Sequence, residues 1–285
     1  MYTVFVIYPL VFVGPYSFIR WDGISRMQFV GFQNYLTVFN NATIMSQLKN
    51  AYGNIGQRLL INYLITHPIL ITIACLIVRK IPGSVFFRTV IFMPNFFNYV
   101  AIAFVVTLFF SPSFGLYATV MKAIGLKEFA TAGIWVNPSY GVGLTVLVAC
   151  WKTIGYELLL YIAAFNVVPV ELDESARMDG ASELRRFFSI YFPISMPAIS
   201  NILILQYISS LLSFEASYML GGLNGGIGGC MDTLMLFFYR NVFDGGYVNN
   251  FVGMGSAFSM LIVAPIMLGV LLLLLLMKRF RGEAQ

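Results

Sequence analysis

One short segment, residues 171 to 197, gathers charged side chains in an otherwise apolar sequence. It holds five of the twelve acidic residues and three of the seventeen basic residues, although only 10% of the chain is charged. Acidic, basic and aromatic side chains at such short spacing suit noncovalent recognition of another protein. We therefore interpret this segment as a docking element that is exposed to water.

No catalytic or metal-binding constellation is recognisable elsewhere. The three cysteines are scattered and His67 is the single histidine, so neither a metal site nor a Ser-His-Asp arrangement is indicated. Because His67 has no acidic neighbour, we interpret it as a packed interior residue rather than a proton relay. No lysine follows a glycine, which excludes a phosphate-binding loop. We expect no metal and no cofactor in this chain, and we interpret Gly221 to Gly229 as a flexible hinge or partner-contact loop.

The composition predicts an all-α integral membrane protein. The chain is 59% hydrophobic, with a mean hydropathy of +0.82, and about 20 apolar residues in a helix cross a bilayer. The first apolar stretch lacks the basic leader and cleavage site of a signal peptide, so we expect it to be a membrane span. We predict one transmembrane domain over residues 1–285, with core spans from about 53 to 277. The six predicted spans are residues 2–20, 53–78, 88–110, 140–166, 198–220 and 251–277.

The loops between these spans predict the orientation. Loops on the cytoplasmic side carry an excess of lysine and arginine. One set of loops holds nine such residues, and the opposite set holds five: Arg26, Lys49, Lys122, Lys127 and Arg240. The richer set is Arg79, Lys80, Arg88, Arg177, Arg185, Arg186, Lys278, Arg279 and Arg281. We therefore place the 171–197 segment and both termini in the cytoplasm, and the net charge of +5 gives no reason to expect nucleic acid.

The order of residues in the charged segment predicts a helix, a turn and a second helix. Pro169 should break the fourth span, and acidic residues from Glu171 onward suit the positive end of a new helix. Gly180 can adopt the left-handed backbone angles of a turn. We predict a second short helix from Ser182 to Tyr191, ended by Pro193 and Pro197 before the fifth span.

Polar residues inside the spans are candidates for a solute path, because they are costly in lipid and usually face a cavity or a neighbouring helix. On the fifth span, four of them follow the spacing of a single helical face. Close helix packing is the alternative explanation for small polar residues. The predicted path consists of Tyr156, Glu157, Gln206, Ser210, Ser213, Ser217, Asn249 and Ser256.

Two ionisable residues of the fourth span need partners, since a bare charge inside a bilayer costs at least roughly 2.5 kcal/mol. Lys152 and Glu157 are five residues apart, so they point to different sides of a helix. We expect Lys152 to pair at a subunit interface and Glu157 to face the solute cavity.

The charged segment resembles the cytoplasmic EAA loop of binding-protein-dependent ABC importer permeases. The matching residues are Glu174-Ser175-Ala176, Asp179-Gly180-Ala181 and Pro193, and Ser175 stands where alanine is usual. In that family the loop is a coupling helix that docks in a groove of the ATPase subunit. The resemblance implies that ATPase coupling involves Glu171, Glu174, Ser175, Ala176, Asp179, Gly180, Ala181, Arg185, Phe187 and Pro193.

Three further segments are similar to the first, maltose-type membrane subunit of sugar importers. They are residues 30–35 (VGFQNY), 86–94 (FFRTVIFMP) and 232–243, the last including Asp232-Thr233-Leu234 and Arg240. Together they extend the resemblance over nearly the whole chain. The resemblance implies a noncatalytic permease subunit in the bacterial cytoplasmic membrane that translocates a carbohydrate. It also implies a second homologous permease, two ATPase subunits that bind ATP and Mg, and an extracytoplasmic solute-binding protein.

Two other classes of protein fit the residues less well. An ion-coupled secondary transporter of a small polar solute would show paired acidic residues in mid-membrane and two repeated halves. Only Glu157 supports that class. A membrane scaffold with no solute of its own is disfavoured by the polar span faces.

Overall fold

The described part of the chain is mostly helical. The computed structural model describes residues 1–78, 83–111, 113–126, 138–244 and 246–282, so Arg79, Lys80 and Lys127 of the orientation argument lie outside the described residues. The α-helices are α1 (Tyr8–Tyr16), α2 (Gln33–Asn40), α3 (Ala42–Ile61), α4 (His67–Val78), α5 (Ser84–Phe92), α6 (Tyr99–Phe109), α7 (Leu116–Ala123), α8 (Gly141–Phe165), α9 (Val170–Met178), α10 (Glu183–Arg186), α11 (Phe192–Leu211), α12 (Glu215–Gly221), α13 (Leu234–Phe243) and α14 (Phe251–Gly282). The short strands β1 (Ile19–Arg20) and β2 (Gln28–Phe29) pair antiparallel.

Within the described residues, four helical stretches are long and apolar enough to cross a membrane. They are Ala42–Val78, Pro138–Phe165, Glu183–Gly221 and Phe251–Met277. A fifth candidate consists of two helices, Phe86–Phe96 and Tyr99–Phe109, that meet at 97°. The membrane character is therefore confirmed, with four or five candidate spans.

Two of the first three predicted spans differ from the structure. The stretch 2–20 contains a five-residue π-helical turn, Thr3–Ile7, and the nine-residue α1, and β1 follows at once. The stretch 88–110 is bent rather than straight. At the bend Phe97 is extended, and the Asn98 side chain accepts a hydrogen bond of 2.9 Å from the Ala101 N–H, which caps α6.

The prediction that Pro193 and Pro197 end the second short helix is wrong. The helical stretch runs on from Glu183 through the π-helical turn Phe187–Tyr191 into α11, with Pro197 inside it. A π turn also spans Asn62–Thr66, ahead of Pro68. Membrane helices accommodate proline by such local widening, which re-satisfies the freed backbone groups.

The described chain divides into two compact units, and each is built from three separate parts of the sequence. The first unit comprises Met1–Gln57, Ala103–Thr145 and Leu211–Gly269. Its polar interior centres on Asn34, whose amide donates to the carbonyl oxygens of Ser17 at 2.8 Å and Ile19 at 2.9 Å. The Asn250 amide in turn donates to Asn34 Oδ1 at 2.8 Å. These bonds tie the N-terminal hairpin to the start of α14 and explain the buried asparagine in the 30–35 segment.

The second unit comprises Arg58–Ile102, Val146–Ser210 and Val270–Gln285. Its apolar core includes Leu70, Leu158, Phe165 and Ile199, all nearly inaccessible. His67 is buried beside Tyr161, with 3.0 Å between Nδ1 and the phenol oxygen. This environment fits the interpretation of His67 as a packed interior residue.

Close backbone approach in the second unit depends on Gly155 of α8. A Cβ at this position would collide with the Cα of Phe92 and lie 2.6 Å from the carbonyl oxygen of Ile91. We expect Gly155→Ala to destabilise the subunit by about 1 to 3 kcal/mol through overpacking, seen as a lower Tm of the purified protein. Gly143→Ala, on the same helix with no atom near its added Cβ, is the control. Equal Tm values for the two variants would contradict this account.

Candidate docking site on the 170–191 segment

The turn in the charged segment is a helix C-cap of defined geometry. Helix α9 begins after Pro169 and ends at Met178, and Gly180 follows with φ of +74°. The Gly180 N–H donates to the Arg177 carbonyl at 3.0 Å, and the Ala181 N–H donates to the Ala176 carbonyl at 2.9 Å. This pair of bonds is the Schellman motif, which requires a left-handed residue at the position of Gly180. The glycine of the Asp-Gly-Ala sequence is therefore explained by local backbone geometry.

The second helix begins at its own capping residue. Ser182 is extended, and its hydroxyl oxygen accepts a hydrogen bond of 3.4 Å from the Arg185 N–H. The predicted start of this helix is therefore correct, and only its predicted end is wrong.

A buried ion pair joins the two helices. The Asp173 carboxylate on α9 accepts a hydrogen bond of 2.5 Å from Arg186 on α10, and the two residues are 5% and 4% exposed. Arg177 adds a second contact to Asp173, with 3.1 Å between Nε and Oδ2. Because each charge is removed from water, the pair fixes the helices in one arrangement only while both partners are present.

Aromatic packing anchors the second helix to the core of its unit. The Phe187 ring lies 6.1 Å from the Phe165 ring at the end of α8, and Tyr191 lies 6.4 Å from Phe165. Tyr191 is buried and Phe187 is partly buried. The 170–191 segment, called the docking segment below, is thus attached to α8 by side-chain packing as well as by the peptide backbone.

Most of the predicted coupling residues lie on the free surface of the segment. The exposed ones are Glu171, Glu174, Ser175, Asp179, Gly180, Arg185 and Pro193. Ala176, Ala181 and Phe187 are partly buried. Pro193 lies in α11, beyond the second helix, so the structure does not group it with the turn.

Sequence reasoning missed two features of this surface. It did not pair Asp173 with Arg186, because a contact across a turn leaves no periodic signal. It also overlooked exposed apolar side chains beside the acidic ones, with Met178 88% and Leu184 73% accessible. Apolar residues that stay exposed next to charges are typical of a protein interface.

In the second unit, the predicted solute-path residues have different environments. Glu157 is buried and accepts a hydrogen bond of 2.9 Å from Thr153 one turn earlier, whereas Tyr156 is exposed. Gln206 is partly buried and Ser210 is buried. Lys152 is held within the unit, since its Nζ donates to the Asn95 carbonyl at 3.3 Å and lies 5.0 Å from the centre of the Tyr99 ring.

In the first unit, two predicted placements are corrected. Helix α11 ends at Leu211, so Ser213 lies in a break and Ser217 belongs to α12. The four polar residues therefore do not share one continuous helical face, because the break resets the helical phase. Asn249 is exposed in the 3₁₀ turn Val248–Asn250 before α14, whereas Ser256 is buried within α14.

The polar loop of the first unit, Gly221 to Gly229, makes hydrogen bonds to the helices beside it. Asn50 and Asn54 of α3 donate to the Gly229 carbonyl at 2.7 and 2.8 Å. Arg240 of α13 forms an ion pair of 2.6 Å with the buried Asp232. Burial raises the pKa of the Asp232 carboxyl, and the hydrogen bonds and charge of Arg240 oppose that shift. These contacts tie the Gly221 to Gly229 loop to α3 and α13, and its role as a hinge or partner-contact loop stays a prediction.

Known proteins are similar in sequence to parts of this chain that belong to both units. The sequence profile of the family described as binding-protein-dependent transport system inner membrane component matches residues 68–282. The probable ABC transporter permease protein YurN of Bacillus subtilis is 29% identical over 283 residues, which cover 98% of this chain and 91% of YurN. The arabinooligosaccharides transport system permease protein AraP of the same organism is also 29% identical, with 99% and 86% covered.

A solved structure shares the fold. It is that of a bacterial alginate ABC transporter in complex with an alginate pentasaccharide-bound periplasmic protein. One of its chains aligns with a TM-score of 0.74 at 20% identity, covering 95% of this chain and 88% of that chain.

Proposed function

The chain belongs to the family of binding-protein-dependent transport system inner membrane components, and we propose that it is the permease subunit of an ABC importer that translocates a carbohydrate. The carbohydrate class is supported by AraP, whose name specifies arabinooligosaccharides, and by the alginate transporter that shares the fold. The whole chain, 1–285, would act as one permease domain, since its two compact units interleave along the sequence.

The observation that carries this proposal is the docking site on residues 170–191. A buried Asp173–Arg186 pair holds two helices that expose both acidic and apolar side chains. Such an exposed element, with its two helices held together, is suited to transmit a movement of a bound partner to the membrane spans. The partner would be one of two ATPase subunits, which would bind ATP and Mg, while a second permease subunit would complete the translocation path.

The membrane arrangement is part of the proposal. Six spans result when the bent pair counts as one and the Thr3–Tyr16 helix counts as another. That helix is roughly 21 Å long at about 1.5 Å per residue, and bilayer thinning accommodates such short spans. The excess of basic residues would place the docking segment and both termini in the cytoplasm. The loop Gly221 to Gly229 would then face the extracytoplasmic binding protein.

Co-purification with its genomic neighbours tests the proposal. We expect the affinity-tagged chain to bring down an ATPase and a second permease, and the complex to hydrolyse ATP faster when sugar-loaded binding protein is added. A complex assembled without the binding protein is the control. The chain would instead be a secondary transporter if it purifies alone and, in liposomes, transports solute with an ion gradient and without ATP. Recovery with other proteins and no ATPase would favour a scaffold.

A further inference from the structure

The first unit contains an open polar cleft beside the glycine loop. Its volume is 390 Å³, and polar surface predominates among its walls. Ser46, Gln47 and Asn50 of α3 line one side, while Asn224, three loop glycines and the Asp232–Arg240 pair line the rest. Ligand sites in proteins have volumes of about 300 to 1,000 Å³, so this cleft has room for a small polar ligand.

The walls of the cleft are held in place by contacts of their own. The Arg240 guanidinium donates to Asp232 Oδ2 at 2.6 Å and to the Leu223 carbonyl at 2.8 Å. Gly229 has φ of +69°, and a Cβ there would lie 2.6 Å from Asn50 Nδ2, so only glycine fits. A preorganised wall loses little entropy on binding, which is the property of a ligand site rather than of a loose loop.

The charges in the cleft cancel each other. Arg240 is neutralised by Asp232, so the cleft offers no net charge to an anion or a cation. The other polar side chains of the lining are those of Ser46, Gln47, Asn50 and Asn224, and among them Ser46 and Asn224 are exposed at the rim. Hydroxyl and amide groups supply donors and acceptors together. This combination suits a neutral ligand with many hydroxyl groups.

We propose that the cleft binds a neutral sugar unit as a separate site on the first unit, outside the predicted solute path. This inference rests on the proposed function, because it assumes a carbohydrate importer whose glycine loop faces outward. It adds a selectivity: neutral oligosaccharides bind the cleft, whereas acidic ones, which need a net positive site, do not.

Substitutions at the rim test the cleft without touching its paired walls. Ser46→Trp and Asn224→Trp fill the cleft, and in the described part of the chain neither wild-type side chain makes a hydrogen bond that would be lost. Asn40→Trp, at an exposed position outside the cleft, is the matched control. The complete transporter is placed in lipid nanodiscs, because maltoside detergents carry sugar head groups. Binding of maltotriose, arabinotriose and a trimeric alginate is then measured by saturation-transfer NMR without binding protein.

We expect maltotriose or arabinotriose to bind wild type and Asn40→Trp, and the acidic trimer not to bind. Loss of two or three ligand hydrogen bonds of about 1 kcal/mol each weakens binding about 30- to 140-fold in the two cleft variants. In uptake assays the KM should rise while kcat is retained. If the wild type imports a neutral sugar but the cleft variants match Asn40→Trp in sugar binding and in KM, the cleft is not a sugar site. The proposed carbohydrate function would stand in that case.

Two other outcomes also count against the proposal. Cleft variants that keep sugar binding but lose stimulation of ATP hydrolysis by the binding protein would make the cleft a protein-docking site instead. A wild-type complex that imports no sugar would overturn the proposed carbohydrate function itself, and the cleft site with it.

Discussion

Replacement of Asp173 by alanine is expected to abolish ATP-driven uptake and to loosen the 170–191 segment. The substitution leaves Arg186 buried without its carboxylate partner, at a side-chain exposure of 5%. Removing one partner of a buried ion pair costs about 3 to 5 kcal/mol, and this cost falls on the two short helices that the pair joins. Hydrogen exchange of the segment's amides should accelerate at least about 100-fold, while exchange in the first unit stays unchanged.

The neighbouring arginines provide matched controls for this result. Arg177 contacts the same carboxylate, but its side chain is 56% exposed, and exposed pairs contribute about 0 to 1 kcal/mol. Arg177→Ala should therefore retain most of the uptake. Arg186→Met combined with Asp173→Leu should restore the exchange protection, because an apolar pair replaces the ionic one without a buried charge. Normal uptake by Asp173→Ala would show that the pair does not hold the docking surface.

The docking segment illustrates what local sequence can predict. Pro169, the acidic first turn and Gly180 each act through the backbone within a few residues, and the helix and turn that they predict are present. The Asp173–Arg186 pair is different, because its energy comes from burial against other elements. Sequence separation alone gives no reason to prefer Arg186 over Arg185 or Arg177 as the partner.

The errors in the spans concern where a helix continues and where it breaks. Proline was expected to end helices as it does in water, but Pro193 and Pro197 lie within a helical stretch that widens at a π turn. The π turn adjusts the backbone hydrogen bonds locally, so the helix continues past both prolines. Conversely, the serine stripe of the fifth span assumed a continuous helix. The break after Leu211 could not be seen in residues that are all compatible with a helix.

The loop Gly221 to Gly229 shows that composition alone does not predict the contacts of a glycine-rich segment. Six glycines among nine residues suggest a flexible chain, yet Gly225 and Gly229 have positive φ and lie against Asp232 and Asn50. Their smallness serves close packing around a buried ion pair. The signal that could have revealed these contacts was Asp232 and Arg240, eight residues apart, with Asp232 just before α13 and Arg240 in its last turn.

Charge reversal at Glu174 is expected to remove coupling while the subunit stays folded. Glu174 is exposed on α9, so Glu174→Lys changes the docking surface without burying a charge. An unfavourable charge at an interface costs several kcal/mol in association, which corresponds to loss of the ATPase on co-purification and loss of uptake. Asp244→Lys, an exposed reversal at the end of α13, should keep both the ATPase and the uptake.

Gly180→Pro is also expected to abolish uptake, because it changes the backbone conformation of the turn rather than the charge of the surface. Proline fixes φ near −65°, whereas Gly180 has φ of +74° and donates its N–H to Arg177. The Schellman turn cannot form, so α10 loses its position relative to α9. Gly180→Ala keeps the N–H and costs about 1 to 2 kcal/mol for the left-handed conformation, so it should retain partial uptake.

If Glu174→Lys and Gly180→Pro both bind the ATPase and import solute as wild type does, coupling does not pass through this segment. If only Gly180→Pro fails, the shape of the turn carries the coupling and the acidic surface does not.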